Sequence, residues 1–362
     1  MKKLLHLEVI RILAILCIMF IHTGYMGHEA YSCTNSNATF VVSLLLACVS
    51  AIGVDLFWMV SGALLLGIEE DARIVYKKRL PRILIVLIVF SVIRYFYDWF
   101  MGVYGANVYW SKVYGANAGA GVSGVGLLDF VRKFVAGSIY TPYWFLYYYI
   151  AILLALPFLR RAVKGMSNAE WKYFAVFEVL FLVVVQLLGL SPGFGFGVPF
   201  YVPEAVNAFI LGYVAERVVP SEWLKKRERL LILLALIIVF VASEYVLSVV
   251  LVNPVGENKK VFTDIFIQPL AFCVVLFIRG LSLKLESCHK WLYKVVCLAG
   301  SCTFGIYLIE DYLRHILSFV YEVAVPAVTV MPACMIWLIC CFLVGVILVS
   351  VIKKIPGIGK LI

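Results

Sequence analysis

Long apolar runs separated by short polar segments follow one another along the whole chain. A helix that crosses a bilayer needs about 20 mostly apolar residues, and runs of that length recur throughout. The pattern predicts an all-α polytopic bundle of about ten transmembrane helices, with both termini on one side of the membrane. The predicted ranges are 4–25, 40–67, 80–101, 142–159, 172–190, 200–218, 230–252, 261–281, 294–316 and 327–352.

The composition agrees with a membrane protein. Of the 362 residues, 64% are hydrophobic and 14% charged, whereas an ordinary soluble domain is about 45–50% apolar. No stretch remains for a sizeable soluble domain, so residues 1–362 are predicted to form one membrane domain with its longest outer loop at about 102–141. The basic start resembles a secretory signal, but Glu8 and Arg11 interrupt its apolar core, so we expect a retained first helix.

The positive charges set the orientation. The net charge is +10, and most of the 31 basic residues fall in loops that share one side of the predicted bundle. The opposite loops hold Lys112, Arg132, Lys133, Lys259 and Lys260. The positive-inside rule therefore predicts cytoplasmic termini, and charge spread over short loops argues against a nucleic-acid groove. The ten cysteines form no C-x-x-C pair or His/Cys cluster, so neither a metal site nor a disulfide framework is expected.

The outer loop contains the pentapeptide VYGAN twice, at 103–107 and 113–117. Its aromatic residues have two interpretations: they stack on a sugar ring outside the membrane, or they anchor the chain at the interface. They are Tyr104, Tyr109, Trp110 and Tyr114.

The first helix carries three ionisable residues, Glu8, Arg11 and His22. A charge within a span costs about 2.5–3.5 kcal/mol, so each such group is by default functional or paired. Arg11 and His22 differ by about 20° around a helix and by roughly 16 Å along it, so they share a face. An arginine suits the phosphates of a cytoplasmic ligand and a histidine suits a general base. The alternatives are that Arg11 forms a purely structural salt bridge to Glu8 or Asp55, and that His22 is an interfacial residue with no catalytic role.

Three further segments place polar or small residues in or beside the spans. GVDLFWMVSGALL puts Asp55 within the second helix, next to residues small enough for close helix packing: Gly53, Ser61, Gly62 and Ala63. YKKRLPRI, at the start of the third helix, forms a cationic entry zone for phosphates or carries ordinary positive-inside charge. TFGIYLIEDYLRH, in the ninth helix, gathers Glu310, Asp311, Arg314 and His315, with Glu310 and Arg314 at i,i+4 spacing for an ion pair.

These motifs, in this order, resemble acyltransferase family 3, whose members O-acylate bacterial surface glycans. They are E-x-x-R-x10-H in the first helix, GVDLFWMVSG, KRLPRI, PYWFLYYYIAILLALPFLRR at 142–161, AFILGY at 208–213, TFGIYLIE at 303–310 and the terminal VIKKIPGIGKLI. The resemblance runs from about residue 4 to the C-terminus. It implies that His22 is catalytic and that Arg11 helps to handle an acyl-coenzyme A, expected to be acetyl-coenzyme A from the cytoplasm.

The resemblance also implies an acceptor hydroxyl on a glycan or lipid-linked sugar outside the membrane, and a bacterial cytoplasmic membrane as location. We add further candidates for each role. The catalytic candidates besides His22 are Glu8, Asp55 and Glu310; the donor-binding candidates are Arg11, Lys78, Arg79, Arg82 and Ser61; and the acceptor-binding candidates are Tyr143, Trp144 and Arg314.

Two positions depart from the family pattern. The acidic residue before the arginine is usually Asp and here is Glu8, and the segment IYLIE, which ends in His in many members, ends here in Glu310. If a second histidine helps proton transfer or substrate placement in the family, Glu310 must substitute for it here, or the acceptor differs. The chain carries no esterase-like domain, so either the membrane domain or a separate partner completes transfer. The alternative function is a transporter or exporter of a small organic acid or acylated glycan precursor, although we find no inverted repeat or paired broken helices.

Overall fold

The computed structural model describes residues 4–33, 37–103, 126–178, 180, 204–251, 266–284, 290–357, 359, 361 and 362. Every regular element within these residues is helical, as the sequence predicts. We number the longer helices in chain order: α1 Leu5–Ile21, α2 Asn37–Ser50, α3 Gly53–Leu65, α4 Leu80–Val103, α5 Leu127–Val135, α6 Trp144–Gly165, α7 Asn168–Glu178, α8 Glu204–Tyr213, α9 Arg227–Leu251, α10 Ile267–Lys284, α11 Lys290–Ile316, α12 Ser318–Val328 and α13 Val330–Ile352.

Seven helical segments among the described residues are long and apolar enough to cross a membrane. They are Ala38–Leu65, Ala72–Met101, Thr141–Gly165, Arg227–Val249, Ile267–Lys284, Lys290–Ile316 and Val330–Ile352. This confirms an all-α multi-pass membrane protein. The predicted helix 4–25 is shorter in the structure. Residues 204–218 of the predicted helix 200–218 are helical, with a π-helical turn at Val214–Val218, and much of the predicted helix 172–190 lies outside the described residues.

Several helix boundaries differ from the prediction for local backbone reasons. The first helix ends at Ile21, because a 3₁₀ turn that begins at Gly24 with a φ of 50° follows it. The last predicted helix, 327–352, is divided at Thr329, whose φ of 73° is incompatible with a continuous α-helix. The second predicted helix is interrupted between α2 and α3, and a π-helical turn at Val75–Arg79 precedes α4.

The predicted outer loop, 102–141, contains a helix that we did not expect, α5. Its sequence LLDFVRKFV places Phe130 and Phe134 one turn apart, with their ring centroids 5.8 Å from each other. Tyr95 of α4 donates a hydrogen bond to Asp129 at 2.6 Å, which fixes α5 against α4. The aromatic residues of the repeated VYGAN segment lie outside the described residues.

The described chain forms two compact units. Unit 1 comprises Met1–Ile21, Phe40–Ile68 and Phe158–Ser301, and unit 2 comprises His22–Thr39, Glu69–Pro157 and Cys302–Ile362. Each unit is described below by itself. The interpretation of residues 1–362 as one membrane domain stays a prediction.

Unit 1 is organised around a close crossing of α3 and α8. A Cβ atom on Gly62 would overlap the carbonyl oxygen of Phe209, and one on Gly212 would overlap the carbonyl oxygen of Met59. A Cβ atom on Gly53 would lie 2.8 Å from a side chain of α1. The prediction that small residues of GVDLFWMVSGALL permit close helix packing is therefore confirmed at both glycines.

Unit 2 brings the segment after α1 together with α11 and α13. A Cβ atom on Gly27 would overlap the Sγ atom of Cys334 on α13. Three turns further along α13, a Cβ atom on Gly345 would lie 3.1 Å from Ile306 of α11. These contacts place His22 beside the second half of α11, where the acidic and basic residues of EDYLRH are found.

Candidate active site

His22 is the first residue after α1, and its imidazole pairs with Glu310 of α11. The His22 Nδ1 atom lies 2.5 Å from Oε1 of Glu310. Because a carboxylate can only accept, Nδ1 carries the ring proton and Nε2 carries the lone pair of the neutral imidazole. The side chain of His22 is 20% exposed and that of Glu310 is 1% exposed, so a partly accessible histidine rests on a buried carboxylate.

Arg314 holds Glu310 in place from one turn further along α11. Its Nε atom donates to Oε2 of Glu310 at 2.7 Å, and its Nη1 atom donates to the main-chain carbonyl of His22. The predicted i,i+4 ion pair is confirmed. Arg314 was predicted to bind the acceptor; its fully buried guanidinium contacts both members of the His22–Glu310 pair, and an acceptor-binding role stays a prediction.

The charges continue from α11 to α4 in a buried row. Asp311 accepts from Nη2 of Arg314 at 2.8 Å and also from Nη1 of Arg94, whose Nε atom donates to Asp98 at 2.8 Å. We call this set the charge row; in order, it consists of Glu310, Arg314, Asp311, Arg94 and Asp98. Its signs alternate and it begins and ends with a carboxylate, so the ionised row carries one net negative charge, which a proton on His22 would balance.

This arrangement is chemically competent for general-base catalysis. A carboxylate that accepts from one imidazole nitrogen orients the ring, fixes its tautomer and stabilises the imidazolium that forms when the other nitrogen takes a proton. Sequence reasoning identified His22 and Glu310 separately but did not pair them. It also left Arg94 and Asp311 out of the site, although an unassigned arginine within a span, four residues before Asp98, is the signal that points to them.

A second histidine, His28, lies near His22 in the loop after α1. The backbone N–H of His28 donates to Oγ1 of Thr23 at 2.9 Å. Burial lowers the pKa of His28 to about 4, and a positive charge on His22 acts in the same direction. His28 is therefore neutral near pH 7, and it adds no positive charge beside His22.

The predicted acceptor residues Tyr143 and Trp144 lie at the start of α6 in unit 2. Tyr143 is buried, and its ring meets that of Tyr140 edge to face at 4.9 Å between centroids. Trp144 is 40% exposed and its ring lies 5.5 Å from that of Tyr148. Tyr143 therefore faces the interior of the unit, whereas Trp144 lies at its surface.

The cationic segment before α4 also belongs to unit 2. Arg79 donates to both carboxylate oxygens of Glu70, at 3.0 and 3.2 Å. Arg82 donates to the carbonyl oxygen of Leu361 at 3.2 Å, and both Arg82 and Lys78 are exposed. A phosphate would thus meet Lys78 and Arg82 directly, but would have to compete with Glu70 for Arg79.

Glu8 and Arg11 form an ion pair on α1 in unit 1. Arg11 Nη1 lies 2.9 Å from Oε1 of Glu8, as the i,i+3 spacing predicts. The other carboxylate oxygen of Glu8 is buried and meets no hydrogen-bond donor among the residues that the structure describes. The salt bridge considered as the alternative for Arg11 is present, and a donor-binding role for either residue stays a prediction.

Asp55 lies in a buried polar group of unit 1. Its Oδ1 atom accepts from the amide of Gln268 at 3.4 Å, and Gln268 in turn accepts from Asn207 at 2.7 Å. Asn207 also donates to Glu178 at 2.6 Å. Ser61 lies one residue before Gly62, at the crossing with α8. The sequence signalled Asp55 by its charge but not its amide partners, because neutral Asn and Gln side chains do not stand out in a span.

Comparison with known families finds a match to the family model described as an acyltransferase domain, over residues 4–354. Comparison with curated proteins and with solved structures finds no match.

Proposed function

Because the chain belongs to acyltransferase family 3 and its described residues include seven segments able to cross a membrane, we propose that it is a membrane O-acyltransferase. The proposed donor is a cytoplasmic acyl-coenzyme A, with acetyl-coenzyme A as the first to test. The proposed acceptor is a hydroxyl of a glycan or lipid-linked sugar outside the membrane, and the proposed location is the bacterial cytoplasmic membrane.

The observation that carries this proposal is the 2.5 Å contact between His22 and the buried Glu310. In the proposed step, Nε2 of His22 takes the proton of the acceptor hydroxyl as its oxygen forms a bond to the thioester carbonyl carbon. The carbon–sulfur bond then breaks, and the leaving thiolate takes the proton back from the imidazolium. Glu310 stabilises the imidazolium in between, so it contributes most when the charge has formed.

A second route uses the same lone pair as a nucleophile. Nε2 would attack the thioester carbonyl carbon and displace coenzyme A as its thiolate, which gives a transient acyl-imidazole. The acceptor hydroxyl would then attack the acyl carbon, the carbon–nitrogen bond would break, and the hydroxyl proton would pass to the thiolate. The two routes differ in whether the protein itself carries label after incubation with labelled acetyl-coenzyme A in the absence of acceptor. Retained label on wild-type protein, absent from His22→Ala, supports the second route.

The proposed function is tested with purified protein in vesicles, labelled acetyl-coenzyme A and a glycan acceptor. We expect thioester loss that depends on the acceptor, and a decrease of about 10²- to 10⁴-fold in His22→Ala with coenzyme A binding retained. His6→Ala is a matched control, because His6 also pairs with a glutamate, Glu216, at 2.9 Å, but on α1 in unit 1. The proposal is contradicted if the wild-type protein cleaves no thioester, or if His22→Ala is fully active. Movement of an organic acid across the vesicle membrane without thioester loss favours the transporter alternative.

A further inference from the structure

We infer that four tyrosines of unit 2 form the acceptor site and that this site selects uncharged sugars. The inference rests on the proposed function and names the class of its acceptor. We call these residues the tyrosine cluster: Tyr97 on α4, Tyr140 and Tyr143 before α6, and Tyr312 on α11.

Three of the four rings lie within about 6 Å of the guanidinium of Arg94, and the fourth, that of Tyr143, packs against Tyr140. Tyr97 and Tyr312 meet edge to face with their centroids 4.7 Å apart, and Tyr140 and Tyr143 do so at 4.9 Å. The Arg94 Cζ atom lies 4.0 Å from the ring centroid of Tyr140, 5.8 Å from that of Tyr97 and 5.9 Å from that of Tyr312. One buried cation therefore fixes three of the four rings.

The tyrosine cluster adjoins the catalytic pair through shared contacts. Asp311 binds both Arg94, within the cluster, and Arg314, which holds Glu310. A sugar held by the tyrosines would thus lie next to the elements that carry the His22–Glu310 pair, as an acceptor must.

The hydroxyl groups of the cluster point to a ligand that makes hydrogen bonds. The hydroxyl oxygens of Tyr140, Tyr143 and Tyr312 are buried and meet no hydrogen-bond partner within the described part of the chain. Tyr143 and Tyr312 face each other, but one O–H···O bond between two phenols leaves one of their two donors unused. Buried polar groups are rarely left unsatisfied in proteins, and a polyhydroxyl ligand supplies the missing partners.

The surrounding charges favour a neutral ligand. Arg94 is bound by Asp98 and Asp311, so it offers no unbalanced positive charge to an anion. The charge row as a whole is net negative, and it would repel a uronic acid or another carboxylated sugar. Exposure rises from 0% at Arg314 through 7% at Arg94 to 25% for the side chain of Asp98, so the cluster lies between the buried end of the row and the surface.

The test removes single hydroxyl groups. Tyr143→Phe and Tyr312→Phe keep the ring and its packing, so we expect the KM for the acceptor to rise about 2- to 12-fold, the effect of one hydrogen bond. The KM for acetyl-coenzyme A should not change. Tyr148→Phe is the matched control, because Tyr148 is a 49% exposed tyrosine of α6, and its acceptor KM should stay at the wild-type value.

Thermal unfolding separates a binding role from a structural one. The hydroxyls of Tyr143 and Tyr312 share at most one hydrogen bond with each other, so each Phe variant should unfold within about 3 °C of the wild-type temperature. Saturating acceptor should raise the unfolding temperature of the wild type more than that of either variant. A lowered unfolding temperature together with a wild-type acceptor KM would show that the hydroxyls serve internal structure and would overturn the inference.

The acceptor class is tested with matched neutral and uronic-acid-containing oligosaccharides, each supplied free and as a lipid-linked form in vesicles. Wild-type protein should acylate the neutral members, and the free and lipid-linked arms identify the source of the sugar. Equal or faster acylation of the anionic members overturns the inference. Failure to acylate any member, without thioester loss, overturns the proposed function instead.

Discussion

The contact between His22 and Glu310 predicts the effect of Glu310→Gln. The glutamine keeps the size of the side chain and its contact with the ring of His22, but the negative charge is lost. The ring orientation is thereby retained while the stabilisation of the imidazolium is removed. Only one of the two terminal atoms of the glutamine can accept, whereas both oxygens of Glu310 accept, from His22 and from Arg314. A related case is a triad histidine whose carboxylate partner is replaced by an amide.

The size of the effect follows from the charge separation. Two unit charges about 4 Å apart interact by about 4 kcal/mol at an effective dielectric constant of about 20, which corresponds to about a 10³-fold change in rate. Arg314 loses one carboxylate partner as well but keeps Asp311 at 2.8 Å, which limits the loss of structure. We therefore expect the kcat of Glu310→Gln to fall by about 10²- to 10³-fold.

The assay measures acceptor-dependent loss of acetyl-coenzyme A by purified protein in vesicles. Coenzyme A binding and the unfolding temperature are measured on the same samples, so that a misfolded variant is recognised. Glu310→Asp keeps the charge and should recover part of the activity, and Glu222→Gln, which breaks only an exposed ion pair with Lys225, should retain it. A Glu310→Gln protein with a kcat within threefold of the wild type would refute the assignment of Glu310 as the partner of a catalytic histidine.

Two further predictions concern stability. Gly62→Ala should lower the unfolding temperature by about 5 °C, because the added Cβ atom would overlap the carbonyl oxygen of Phe209. Gly165→Ala is the control and should not lower it, because a Cβ atom there would have no neighbouring atom within 4 Å. Equal effects of the two substitutions in thermal scans would argue against the close crossing of α3 and α8. The pKa of His28 is about 4 in the folded protein, and its ordinary value is 6.5. As the pH falls, His28 is therefore protonated in the unfolded chain before it is protonated in the folded protein. The free energy of unfolding should thus decrease by about 3 kcal/mol between pH 6.5 and pH 4. His28→Gln should abolish this part of the acid sensitivity in unfolding measured between pH 7 and 4, and an unchanged pH dependence would contradict it.

The membrane helices were predictable because each has a continuous apolar run, but their interruptions were not. The sequence around Thr329 is apolar on both sides, and its positive φ depends on how α12 and α13 pack, which hydropathy does not encode. The gap between α2 and α3 likewise falls within one apolar run. The helix α5 was missed because we interpreted residues 102–141 as a loop from their glycine content.

Pairs within one helix were predictable, whereas pairs between helices were not. The Glu8–Arg11 and Glu310–Arg314 pairs follow from helical spacing alone. The His22–Glu310 pair joins residues 288 positions apart and depends on how the segment after α1 meets α11. The sequence comparison treated Glu310 as a replacement for a histidine; the structure makes it the hydrogen-bond partner of the histidine at position 22.

The alternating signs of the charge row restrict how its sequence can vary. Loss of Arg94 alone would leave the carboxylates of Asp98 and Asp311 without the cation that both contact, and loss of Asp311 alone would leave two buried guanidiniums with one carboxylate partner each. Removing one member of a buried ion pair is far more costly than replacing both by apolar groups. Residues can therefore be lost from the charge row only in pairs, and only at its more exposed end, which is formed by Arg94 and Asp98. We expect these two positions to change together in evolution, and the double replacement to be tolerated better than either single replacement.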